Sequence, residues 1–99
     1  MNKLSIEDQH YSFILETLKK FLPNAKLYLF GSRAKKNHQK YSDIDIAIDN
    51  QQSINAEILC KIVSEFENST LPYEIDIVDL YTISENFKSA IENELVLIN

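Results

Sequence analysis

The chain has 99 residues, of which 44% are hydrophobic, and a formal net charge of −5. That length suits one domain with its own core and is too short for two, and the mixture of charged and apolar residues marks a soluble globular protein. The acidic balance disfavours direct nucleic-acid binding, which needs a basic surface. Glu7 and Asp8 stand where a signal peptide would need an apolar run, and no stretch reaches membrane-spanning length, so no membrane role and a cytoplasmic setting are expected.

In chain order, the first predicted element is a helix over residues 5–22. Ser5 is its expected cap, with Asp8 three positions on, and Ile6, Phe13, Ile14, Leu18, Phe21 and Leu22 share one face. Pro23-Asn24 ends it. His10 has no chemical partner in sequence and reads as structural. An apolar strand follows over Leu27 to Phe30, then the chain's only glycine, Gly31, beside Ser32 and a segment able to form a helical turn.

The basic residues cluster next: Arg33, Lys35, Lys36, His38 and Lys40. Most read as a solvated loop. Arg33 is the only arginine and directly follows Ser32, so it is expected either to hold a phosphate oxygen or to lie on the surface. Asp43 to Asp49 alternates Ile44, Ile46 and Ile48 with Asp43, Asp45 and Ala47, the period of a strand with one core face. Two carboxylates then share the other face, with Cα atoms about 6.5 to 7 Å apart. They could be a merely solvated face. An EF-hand fails because its sixth and twelfth positions would be Ile48 and Ile54. A glycosyltransferase D-x-D belongs to much longer folds.

A polar turn over residues 50–53 leads to a helix ending near Glu67, with Ile54, Ile58, Leu59, Ile62, Val63 and Phe66 as its core stripe. Cys60 lies on it and is the only cysteine, which excludes an intrachain disulfide and suggests a small hydrophobe. Residues 68–72 break the chain. Tyr73 to Leu80 reads as a strand with Ile75 and Ile77 on the core face and Asp76 opposite. Glu74 is in phase as a reserve, and Asp79 is out of phase as a turn residue. A last helix is expected over residues 82–93, capped by Thr82 with Glu85 in register, and buried through Phe87, Ala90 and Ile91. Residues 95–98 are expected as a short edge strand. The fold class is therefore α/β: a small mixed sheet with helices packed on one face and the acidic groups on the other.

Gly31-Ser32, ten residues, and then Asp43-Ile44-Asp45 make a G-S-x10-D-x-D pattern. In this it resembles the nucleotidyltransferase superfamily that includes the DNA polymerase β-like enzymes. The whole chain is similar to the minimal nucleotidyltransferases, or MNT proteins, which act as antitoxins beside HEPN-domain toxins. The resemblance implies transfer of AMP from ATP to an acceptor hydroxyl, with Asp43, Asp45 and Asp76 catalytic and holding two Mg2+ ions, for which Mn2+ can substitute. Gly31 and Ser32 would hold the triphosphate, with Arg33 a further nucleotide-binding candidate. A glycine there lets backbone approach a phosphate closely.

Larger relatives carry an added domain for base or acceptor, and this chain is expected to lack one. A protein acceptor is therefore expected: a tyrosine of a HEPN toxin, in a hetero-oligomer, as in a type VII-like antitoxin. Two other readings stay open. One is a binding subunit that neutralises its partner by contact. The other is small-molecule nucleotidylation.

Overall fold

The computed structural model describes residues 2–36 and 38–99. Its elements run α1 (Asp8–Phe21), β1 (Lys26–Phe30), β2 (Ile44–Asp49), α2 (Ala56–Glu67), β3 (Ile75–Asp79), α3 (Glu85–Ile91), a 3-10 turn (Glu92–Glu94) and β4 (Val96–Leu97). The strands form one mixed sheet in the order β3-β2-β1-β4. β1 is antiparallel to both β2 and β4, whereas β3 runs parallel to β2 through the α2 crossover.

Strand alternation sorts the side chains. Leu27, Leu29, Ile44, Ile46 and Ile48 turn to one face and are essentially inaccessible, as are Ile14 and Leu18 of α1 and Ile62 of α2. Each such side chain contributes about 2 kcal/mol of apolar burial. α1 and α2 pack side by side over this face, with Phe13 and Phe66 meeting edge to face at 6.2 Å. The opposite face carries Tyr28, Phe30, Asp45, Ala47, Asp76 and Val78. There Ile91 of α3 closes a second, smaller cluster with Phe30 and Ala47. The mixed sheet with its helices is as expected, but short α3 shares the acidic face, leaving the carboxylates at one end of it.

Several helix details differ from the sequence reading. α1 begins at Asp8, not Ser5, and its N-cap residue Glu7 makes no side-chain cap. Ser5 instead sits at φ 58°, so that Leu4 and Ile6 on either side are both buried. Asn2 secures that bend: its Oδ1 accepts from the Leu4 and Ile6 amides, and its Nδ2 donates to the Ile6 carbonyl and to Asp8.

α3 is capped by Ser84, whose Oγ accepts from Phe87 N at 3.1 Å, while Thr82 donates to the Asp79 carbonyl. Of the three residues expected on the buried side of α3, only Ile91 is buried; Phe87 is 41% exposed and Ala90 is exposed. Cys60 is on α2 but exposed. Among the described residues no helix is long and apolar enough to cross a membrane.

Candidate active site

β2 is a strand because isoleucine alternates with small or polar residues, and that alternation delivers Asp45 to the face away from the core. Parallel pairing places Asp45 directly beside Asp76 of β3. The Asp76 carboxyl is close enough to act on that of Asp45. Asp43, one residue ahead of β2, is exposed, as is Asp76, whereas Asp45 is half-buried. Burial pushes the Asp45 carboxyl above the ordinary carboxylate range, and the neighbouring charges of Asp76, Asp43 and Glu94 push it the same way.

Gly31 follows β1 at the end where Phe30 pairs with Asp45. Its φ of 78° is left-handed, and a Cβ there would land on Asp45 Oδ2, with Asp45 Cγ at 3.2 Å. Only glycine allows the turn to press on the acid pair. The chain then makes a single helical turn, with Lys35 N donating to Gly31 O at 3.2 Å. Gly31, Ser32, Asp43, Asp45 and Asp76 thus gather at one end of the sheet.

Arg33 does not join them. Its side chain is 2% exposed, and its guanidinium donates to Leu4 O, Lys40 O and Ser42 O at 2.9 to 3.2 Å. It also lies over the Tyr73 ring at 5.0 Å. The expected phosphate or surface role gives way to a structural one: a rigid fork with several donors is suited to three backbone carbonyls that no strand satisfies. Asp79 is likewise structural. Its carboxylate accepts from Ile54 N at 2.8 Å and Tyr81 N at 2.9 Å, closing the turn that follows β3 and tying it to the start of the crossover.

The family described as polymerase beta, nucleotidyltransferase matches residues 13–99. The chain belongs to that nucleotidyltransferase family. It is 30% identical over 96 residues to the probable protein adenylyltransferase MntA of Haemophilus influenzae, covering 97% of this chain and 84% of that one. Two solved structures share the nucleotidyltransferase fold. A toxin–antitoxin with AMP-PNP aligns at a TM-score of 0.73 and 24% identity, over 89% of this chain and 71% of that chain. A complex of a tri-AMPylated Shewanella oneidensis HEPN toxin with MNT antitoxin aligns at 0.69 and 22%, over 93% and 71%.

Among the described residues no three His, Cys, Asp or Glu side chains converge closely enough to hold a metal as they stand. What this nucleotidyltransferase does offer is the Asp45–Asp76 pair, with the Asp43 charge beside it. Mg2+ takes hard oxygen donors, commonly one or two carboxylates completed by substrate phosphates, so the donor chemistry fits that ion. A cavity of about 740 Å3 lies elsewhere, between α1 and the end of α2 against Gln9, His10, Phe13 and Asn68. None of the acid-face carboxylates borders it, and it is assigned no part in the chemistry.

Sequence reasoning missed Glu94. Its Oε1 accepts from Gly31 N at 3.0 Å and its Oε2 lies 3.3 Å from Lys35 Nζ. The signal was available only through the tail. Tyr28 pairs with Leu97 and Leu29 with Val96, and counting on along that antiparallel register sets Gly31 opposite Glu94.

Proposed function

We propose that this nucleotidyltransferase moves AMP from ATP to a hydroxyl of a partner protein, a tyrosine of a HEPN-domain toxin, as a type VII-like antitoxin of the cytoplasm. The observation that carries the reading is the paired Asp45 and Asp76, with a glycine turn pressed close against Asp45. Support for the partner comes from relatives: MntA of Haemophilus influenzae is named for protein adenylylation, and an MNT antitoxin of this fold accompanies an AMPylated HEPN toxin.

In this reading the Gly31 amide and Ser32 hydroxyl hold the triphosphate, and the sheet fixes the carboxylates in aim. The phenol oxygen bonds to the α-phosphorus, the bond to the β-phosphate oxygen breaks, and pyrophosphate leaves with that electron pair. Asp76, the more exposed of the pair, takes the phenol proton. Asp43, Asp45 and Asp76 would hold Mg2+, which supplies charge neutralisation when bound. The added AMP brings a bulky anion to the toxin's surface, where it changes what the toxin can bind.

Incubation of the HEPN partner with this protein, ATP and Mg2+ should add one or more AMP masses to the partner by mass spectrometry. Asp43→Asn and Asp45→Asn should add none. Should both variants still protect cells from the toxin as well as the parent, neutralisation is by contact and the enzymatic reading falls.

A further inference from the structure

Glu94 occupies the turn in a way that the proposed chemistry leaves unexplained. One carboxylate takes the Gly31 amide at 3.0 Å and the Lys35 ammonium at 3.3 Å. The Glu94 side chain is 22% exposed and Lys35 is 57% exposed. Glu94 also stands close enough to the acid pair to help raise the Asp45 carboxyl. A further negative group beside the three aspartates adds like-charge repulsion, so it needs strong local donors to stay there. A glycine amide at a turn together with an ammonium is also the donor set that recognises a phosphate oxygen. With Arg33 committed to backbone carbonyls, Lys35 is the cation that the turn presents.

We propose that Glu94 is an internal stand-in for the triphosphate and that Lys35 is the cation of that subsite. On nucleotide binding, a terminal phosphate oxygen takes the Gly31 N–H and the Lys35 ammonium from Glu94, whose carboxylate turns away. The inference rests on the nucleotide reading of this turn. No covalent bond changes in the exchange. Its consequence is that Lys35 gains a phosphate only by losing a carboxylate, so its contribution to affinity is masked while Glu94 is present.

Calorimetric titration with AMP-PNP and Mg2+ tests this in the parent, Lys35→Gln, Glu94→Gln and the double variant. Glu94→Gln keeps an acceptor for Gly31 N, so the turn should hold. It should tighten AMP-PNP by about tenfold, while Lys35→Gln should weaken it by about twofold in the parent and about tenfold beside Glu94→Gln. AMP lacks the terminal phosphates, so its affinity should change by less than about twofold in Glu94→Gln. Equal Lys35→Gln factors in both backgrounds, or AMP tightening as much as AMP-PNP, would overturn the exchange and leave only general repulsion.

A second readout is independent of affinity. Gly31 is the only glycine, so glycine-selective 15N labelling yields one amide resonance. It should shift when AMP-PNP binds and when Glu94→Ala is made in the free protein. An unmoved resonance in Glu94→Ala removes the observed contact. Failure of AMP-PNP to bind the parent and every variant sinks the nucleotide reading itself, whereas binding with an additive cycle sinks only the exchange.

Discussion

Gly31→Ala measures how closely the turn is pressed on the acid pair. At φ 78° an alanine costs about 1 kcal/mol in backbone strain alone. Its Cβ would also land on Asp45 Oδ2, so the aspartate must rotate. Turning it off its rotamer costs about 0.5–1.5 kcal/mol. The expected loss in the parent is therefore about 2 kcal/mol. In Asp45→Ala the offending oxygen and Cγ are gone and the nearest remaining Asp45 atom, Cβ, lies at an ordinary 3.5 Å. The same glycine change should then cost only about 1 kcal/mol. Asp45→Asn keeps the shape of the side chain, so in that background the steric cost should persist. Urea denaturation of the singles and doubles gives both couplings. Additivity within about 0.5 kcal/mol between Gly31→Ala and Asp45→Ala would refute the contact.

Three further outcomes follow from the same geometry. Arg33→Met should lose about 3–5 kcal/mol because three carbonyls lose a charged donor, and Arg33→Lys should recover little because one ammonium cannot span them; thermal melting reads both. A raised Asp45 value means stability that is present below about pH 4 and is lost as pH rises through the raised value, so Asp45→Asn should be at least as stable as the parent at pH 7 without metal. A flat difference between the two across pH 4 to 7 would contradict the burial and repulsion assigned to Asp45. Asp79→Ala should cost about 2–4 kcal/mol in urea by stranding Ile54 N and Tyr81 N, while AMP-PNP affinity stays within about threefold.

The sheet was legible in sequence because isoleucine at every second position leaves little freedom over which face is core, as in Ile44, Ile46 and Ile48. The aspartates were legible for the same reason, being the polar half of that alternation. Helix starts were less so. Ser5 and Thr82 have the side chains of caps, but the first was needed in a left-handed bend between two core residues and the second bonds to Asp79 O. Phe87 and Ala90 have the spacing of a buried face, but α3 is too short and too near the sheet's end to cover both. Arg33 misled because a lone arginine beside a phosphate turn has the chemistry for either task. What decides is the set of carbonyls at Leu4, Lys40 and Ser42, which only the folded chain gathers around the guanidinium.

Strand phase alone does not choose between Glu74 and Asp76, since both project to the acid face. Register chooses. The bonds from Ile44 N to Glu74 O and from Leu80 N to Ile48 O lock β3 so that Asp76 stands beside Asp45. Slipping by two residues would present Glu74 instead, at the same face and with a longer reach. The Asp79 carboxylate opposes such a slip, because it ties the end of β3 to Ile54, the residue that leads from β2 into the crossover. Buried on the core face, it reinforces the register that sets Asp76 beside Asp45. Glu94 acts in the same way from the other edge, where pairing of β4 with β1 delivers it to Gly31. Both edges of the sheet thus converge on one glycine and one aspartate, so the geometry of the site depends on residues separated from it by most of the chain.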